Sequence, residues 1–188
     1  KTLDSVAPEK NFEAGIALLR RVRDASRNAG PRRVQGDPRP PGTAAAAGST
    51  AQFVVGIGQE TDRDFLALSH KLWKEGTLHH PHFAAFRPIE DTPLENAVET
   101  PSLRENRLYQ ADYLLRQYRF APEELVVNER GNLPLGKDPK LTWALTHPDQ
   151  FPVEITTADR DRLLRVPGLG PKSTTRLLAM RRDAANVD

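Results

Sequence analysis

The sequence predicts an α/β chain that ends in a small all-α region, and three observations lead there. First, a run rich in β-branched residues (Gln52–Ile57), an amphipathic segment (Thr61–Glu75) and a second apolar run (His82–Phe86) follow one another. They fit within about 35 residues, the length of a strand–helix–strand unit with parallel strands and a right-handed crossover. Second, from Thr100 onward the apolar residues recur only at helical spacing. Third, the 188-residue chain has 16 prolines, which predicts several irregular connections.

Asn11–Asn28 reads as the first helix, with Phe12, Ile16, Leu19 and Val22 as its stripe, Asn11 as N-cap and Gly30 as C′ residue. Gly30–Thr50 has no periodicity and is rich in Pro, Gly and Ala, so it reads as a flexible insertion whose Arg32, Arg33 and Arg39 are solvated. Gln52–Ile57 is expected to be a buried strand. Thr61 and Asp64 have the spacing of a capping box, and Phe65, Leu68 and Leu72 form the stripe that Gly76 ends. His82–Phe86, closed by Pro88, is the second strand. Thr100–Tyr118 is the strongest helix, with Thr100 as N-cap, Pro101 at N1, and Leu103, Leu108, Ala111, Leu115 and Tyr118 on one face. Asp138-Pro139 opens a short helix that closes near His147-Pro148. Thr156 or Thr157 opens another through Arg165. Pro171 opens the last one, to about Arg182, before a frayed tail at 183–188.

Composition removes several chemistries. There is no cysteine, so this chain holds no disulfide, thiolate zinc site, cysteine nucleophile or cysteine-ligated iron–sulfur cluster. No apolar run reaches the roughly 18 residues of a membrane span, and no secretory leader opens the sequence. The chain starts at Lys1 and its single methionine is Met180, from which a piece of a longer protein is expected. His79, His80 and His82 lack a carboxylate or cysteine to complete a metal site. Arg104 and Arg107 read as solvated helix charges.

The most informative segment is Leu163–Leu178, LLRVPGLGPKSTTRLL. One helix ends, Val166–Gly170 turns tightly, and Pro171 starts a second helix. The two glycines permit positive φ and close approach of a ligand. The first free N–H groups of the second helix form an anion site, and Lys172 and Ser173 stand in the same turn. Between Thr157 and Arg182 there are seven basic residues (Arg160, Arg162, Arg165, Lys172, Arg176, Arg181, Arg182) and two acidic ones (Asp159, Asp161), a local charge of +5. The whole chain is only +2. The basicity is therefore concentrated on this segment.

Val166, Gly168, Leu169 and Gly170 resemble the helix-hairpin-helix DNA-binding motif, although Thr174 stands where that motif has a small residue, often alanine. The resemblance implies that Pro167, Gly168, Leu169, Gly170, Lys172, Ser173 and Arg176 hold a DNA phosphate without reading bases, with a monovalent cation at the hairpin.

The segment Thr50–Ile89 is similar to the late strands of a radical S-adenosylmethionine (radical SAM) barrel. Ala7–Asn11 (APEKN), Leu103–Phe120, Asp138–Leu145 and Phe151-Pro152-Val153 narrow the likeness to bacterial radical SAM proteins of DNA modification and repair. Asn106 and Tyr113 depart from it, standing where relatives often have histidine and tryptophan. The resemblance implies the end of a partial (β/α) barrel over residues 1–120, interrupted by the 30–50 insertion. A connection over 121–155, the helix-hairpin-helix over 156–182 and the tail would follow. It also implies a parent enzyme that uses a [4Fe–4S] cluster and S-adenosylmethionine, the cluster held by a C-x3-C-x2-C motif that this chain lacks. By the same likeness, the strand-to-helix turn Gly56, Ile57, Gly58 and Glu60 would help hold the adenosyl group. DNA and a uracil-DNA-glycosylase-like protein would be the partners, in the bacterial cytoplasm and away from membranes. With half of its sheet missing, the fragment is expected to show a poorly paired strand edge. Two alternatives stay open: a non-enzymatic DNA-binding or adaptor module on a degenerate α/β scaffold, and a hairpin that contacts only protein.

Overall fold

The computed structural model describes residues 12–28 and 49–185. Asn11, Gly30, the APEKN segment, most of the insertion with its three arginines, and the last three residues of the tail lie outside them. The chain is mixed α/β and mainly helical, with a two-stranded parallel sheet. It divides into two units, Lys1–Glu60 with Ala67–Glu105, and Thr61–Leu66 with Asn106–Asp188.

In the first unit, β1 (Thr50–Val55) and β2 (His80–Ala85) pair in parallel, with Phe53 opposite Phe83. Those two rings stack at 5.9 Å. β1 starts two residues before the predicted strand and ends at Val55, because Gly56 takes φ +95° and turns the chain. The strand is not buried on both faces, as had been expected. Phe53 and Val55 are buried while Gln52 and Val54 are exposed, the period-2 pattern of a sheet covered on one face.

β2 starts earlier than predicted and includes Pro81. The Phe86 amide donates to the Val55 carbonyl, so in a parallel ladder the even-numbered amides of β2 face β1. Pro81 thus has its missing donor on the outer edge, where proline is tolerated. On that same edge the Glu105 carboxylate accepts from the Ala85 amide at 2.9 Å.

Helix α1 (Phe12–Asn28) turns Ile16, Leu19, Arg20 and Arg23 inward. Val22, expected on the apolar stripe, is 42% exposed, and Arg23 takes the inner position, donating to Thr77 Oγ1 at 2.9 Å. Arg20 pairs with Glu75.

Helix α2 (Asp62–Lys74) begins in the second unit, and its capping box forms as read. The Thr61 amide donates to Asp64 Oδ2 at 2.8 Å and the Asp64 amide to Thr61 Oγ1 at 3.3 Å. Those bonds hold the Asp64 carboxyl below its ordinary pKa. The 128–133 loop closes the rest of that helix start. Asn132 Oδ1 accepts from the Asp62 amide, Gly131 O accepts from the Arg63 amide, and the buried Asp62 carboxylate accepts from the Leu133 amide at 2.8 Å.

Helix α3 (Ser102–Gln117) starts later than expected, so Thr100 is not its cap; the Thr100 amide donates back to the Phe86 carbonyl. In the second unit it buries Leu108, Ala111, Leu114 and Leu115, while Leu103, expected on the same face, is 42% exposed. Arg107 is not solvated. Its Nε and Nη2 donate to the Leu135 carbonyl at 3.1 and 2.8 Å, pinning that loop.

A 3-10 turn at Pro122–Glu124 leads on to α4 (Pro139–Thr146), which Asp138 caps as predicted. Helix α5 (Arg160–Arg165) starts at Arg160, not at Thr156 or Thr157, because Asp159 accepts from the Arg162 amide and fixes the start there. Helix α6 (Pro171–Ala185) follows the hairpin. Leu163 and Leu164 of α5 are fully buried, as are Phe120, Leu125 and Trp143 nearby in sequence or fold.

Arg165 fastens α5. It donates to both Glu124 oxygens at 2.7 and 3.0 Å and to the Tyr118 carbonyl at 3.1 Å, and its guanidinium lies 3.8 Å from the Phe120 ring centre. Replacing Arg165 with alanine leaves the half-buried Glu124 carboxylate with the Ala121 amide but no cation, and the Tyr118 carbonyl without this donor. It is expected to lower stability by about 2–3 kcal/mol. Urea denaturation of the two proteins measures the difference; a loss under 0.5 kcal/mol on the roughly ±0.5 scale of ordinary surface changes contradicts the clamp.

Candidate nucleic-acid interface

A tight turn joins α5 to α6. α5 ends at Arg165, the Leu169 amide donates to the Val166 carbonyl at 3.1 Å, and Gly168 turns the chain with φ +81°. A side chain at Gly168 would meet no atom within 4 Å, so glycine is required there by the backbone angle and not by space. At Gly170 a Cβ would meet the Tyr118 hydroxyl at 3.4 Å, an ordinary contact. The Thr174 amide donates to the Gly170 carbonyl and so starts the α6 ladder. Pro171 has no N–H to give. The amides of Gly170, Lys172 and Ser173 therefore stand at the start of a 15-residue helix with no acceptor among the described residues. Pro167 is half-buried beside them.

The basic flank divides into two groups. Arg165 is spent on Glu124 and the 118–119 carbonyls. Arg181 donates to the carbonyls of Thr156 and Ala158, and Arg160 to Thr175 Oγ1 at 3.0 Å. These three, part of the segment's +5 charge, bond to groups of the protein itself. Lys172 and Arg176 are exposed, with no ion pair among the described residues, as are Arg162 and Arg182. Thr174, where the motif has a small residue, is fully buried, and its hydroxyl finds no partner among the described residues.

Behind the hairpin lies an open cleft of about 270 Å³, lined by Gly168–Gly170, Tyr113, Tyr118, Gln110 and the start of α4. Lys140 enters it from α4. Only 8% exposed, its ammonium donates to the Leu169 carbonyl at 2.6 Å and lies 4.5 Å from the Tyr118 ring centre. Burial pushes its pKa down to about 8; Asp138 opposes the shift and Arg165 adds to it. Burial also raises the Tyr118 phenol, helped by Tyr113. Sequence reading missed Lys140. A signal was present, since Lys140, Trp143 and Ala144 have the i, i+3, i+4 spacing of one helix face and the other two are apolar.

The second predicted site, the Gly56–Glu60 turn, belongs to the other unit. A Cβ on Gly56 would lie 1.9 Å from Thr100 Oγ1, and one on Gly58 1.9 Å from Glu60 Oε2. The two glycines thus make room for side chains of the chain itself. Ile57 is half-buried and Glu60 exposed. With no cysteine in the sequence, the residues of this chain do not fit a [4Fe–4S] cluster. His79 accepts the Ser49 amide at Nδ1, while His80 and His82 are exposed. Among the described residues no three metal-ligating side chains gather, and no helix is long and apolar enough to cross a membrane.

The depressed lysine has a stability consequence. The unfolded chain holds the Lys140 proton up to its ordinary value near 10.5, the folded chain only to about 8. Between those values the unfolded state binds more protons, so stability rises with pH. A gain of about 2 kcal/mol between pH 8 and 10 is expected in the native chain, and none in Lys140→Met. Denaturation midpoints across that range measure it. Compared with protein-family models, with curated proteins and with solved structures, the chain matches none.

Proposed function

We propose that residues Pro167–Ser173 bind DNA backbone phosphate without base selection. One observation carries this reading: the unclaimed amides of Gly170, Lys172 and Ser173 at the start of α6 sit beside the exposed cations Lys172 and Arg176. Free amides and a helix dipole suit a phosphate oxygen, and neither kind of contact carries sequence information. Arg176, one turn further along α6, donates to a neighbouring phosphate.

In this proposal the chain is the C-terminal portion of a radical SAM protein of DNA modification and repair. The hairpin would hold DNA for chemistry done by groups this chain does not contain. The parallel β1–α2–β2 order and the sequence resemblance support that larger reading. An adaptor on an α/β scaffold shares the hairpin and lacks the chemistry. The coding sequence upstream of Lys1 separates them: an in-frame C-x3-C-x2-C is expected, and a nearby start codon without it leaves the DNA-binding module alone.

For the hairpin itself, weak binding to duplex DNA is expected. The log–log salt slope should be near −2 for about two engaged phosphates, and affinity should be equal for unrelated sequences. Gly170→Val with Lys172→Glu should remove most of the affinity while circular dichroism stays unchanged. Fluorescence anisotropy with a labelled duplex measures both; undiminished affinity in the double variant contradicts the proposal.

A further inference from the structure

The peptide group between Leu169 and Gly170 has two ends, and the structure gives them different neighbours. Its carbonyl accepts the Lys140 ammonium at 2.6 Å. Its N–H, on Gly170, has no acceptor among the described residues. The only cis peptide among them is Phe151-Pro152, so this peptide is trans, and its N–H points away from Lys140. A cation on the carbonyl draws electron density through the amide and strengthens the N–H as a donor. The same cation lies on the order of 8 Å from an anion bound to that N–H, counting the two hydrogen bonds and the peptide between them.

We propose that Lys140 is the buried cation of the hairpin's anion site, acting through the Leu169–Gly170 peptide as a positioning residue that never touches the ligand. This rests on the hairpin being the anion site and adds what sets its strength. The ammonium already occupies the Leu169 carbonyl, so binding does not depend on which monovalent salt is present. It also ties affinity to a proton. The charged or titratable groups facing Lys140 are Asp138 at the α4 cap, Arg165 from α5, and Tyr118 with Tyr113 from the end of α3. Asp138 favours the ammonium, Arg165 opposes it, and Tyr118 stays neutral because burial raises its phenol. Lys140 is then the group that loses charge as pH passes about 8.

The test is anisotropy of a labelled duplex from pH 7 to 9.5, at fixed ionic strength in sodium, potassium or tetramethylammonium chloride. The full chain is compared with Lys140→Met and Lys140→Arg. Native affinity should fall about fivefold across the range, an effect expected of one charge at that distance with partial screening, and should be indifferent to the cation. Lys140→Met should bind about fivefold more weakly at pH 7 with no pH dependence, and Lys140→Arg should keep its affinity at pH 9.5. Native and Lys140→Met profiles that coincide overturn the inference.

A measurement on the native chain alone covers misfolded variants and a failure of DNA binding. Sulfate, which does not titrate in this range, is added while the Gly170 α-carbon shift, which needs no exchangeable proton, is followed by carbon-detected NMR. Tighter sulfate binding at pH 7 than at pH 9.5 supports Lys140 even where DNA does not bind, and that result overturns only the DNA reading. Equal binding at the two pH values overturns Lys140.

Discussion

The hairpin stands where it does because of Arg165. α5 has six residues, too few to be stable alone, and ends where the turn must begin. The guanidinium fixes that end by joining the Glu124 carboxylate, the Tyr118 carbonyl and the Phe120 face. A planar fork with several donors can satisfy all three at once; an ammonium cannot. The cost is a second buried cation close to Lys140. Its repulsion is one of the causes that lower the lysine's proton affinity, so the clamp that positions the hairpin also softens the charge behind it.

Helix starts show the same economy of donors and acceptors. α2 is closed by Thr61, Asp64 and the 128–133 loop, α4 by Asp138, and α5 by Asp159. Each closure uses a short oxygen-bearing side chain that the sequence displays at the right offset. α6 starts with Gly170-Pro171-Lys172, which offers no such acceptor, and its amides remain unclaimed. Open donors at one helix start are ordinary. Combined with two exposed cations and a buried one, they give the hairpin its reading.

Much of this was legible beforehand. The Thr61–Asp64 box, the Asp138-Pro139 start and the Val166–Gly170 turn are local, and local chemistry decides them. Where sequence reading failed, a distant group had intervened. β1 could not be seen to lie open on one face, since covering of a strand is decided by other elements. Arg107, Arg160, Arg165 and Arg181 looked like surface charge because arginine usually is. Their partners are carbonyls, a carboxylate and a hydroxyl up to 47 residues away, as with the Tyr118 carbonyl for Arg165, and no spacing rule reaches that far. α5 began late because an aspartate outranked two threonines as its cap.

The two edges of the small sheet are unlike. On β2, Pro81 offers no donor and Glu105 already holds the Ala85 amide, so an incoming strand would meet a gap and a competitor. On β1, the ladder parity turns the Gln52 and Val54 amides outward in a regular row. The sheet is therefore polar in its capacity to grow. Backbone addition is directed to the β1 side, and whatever strand completes it, from the same polypeptide or another, must arrive there.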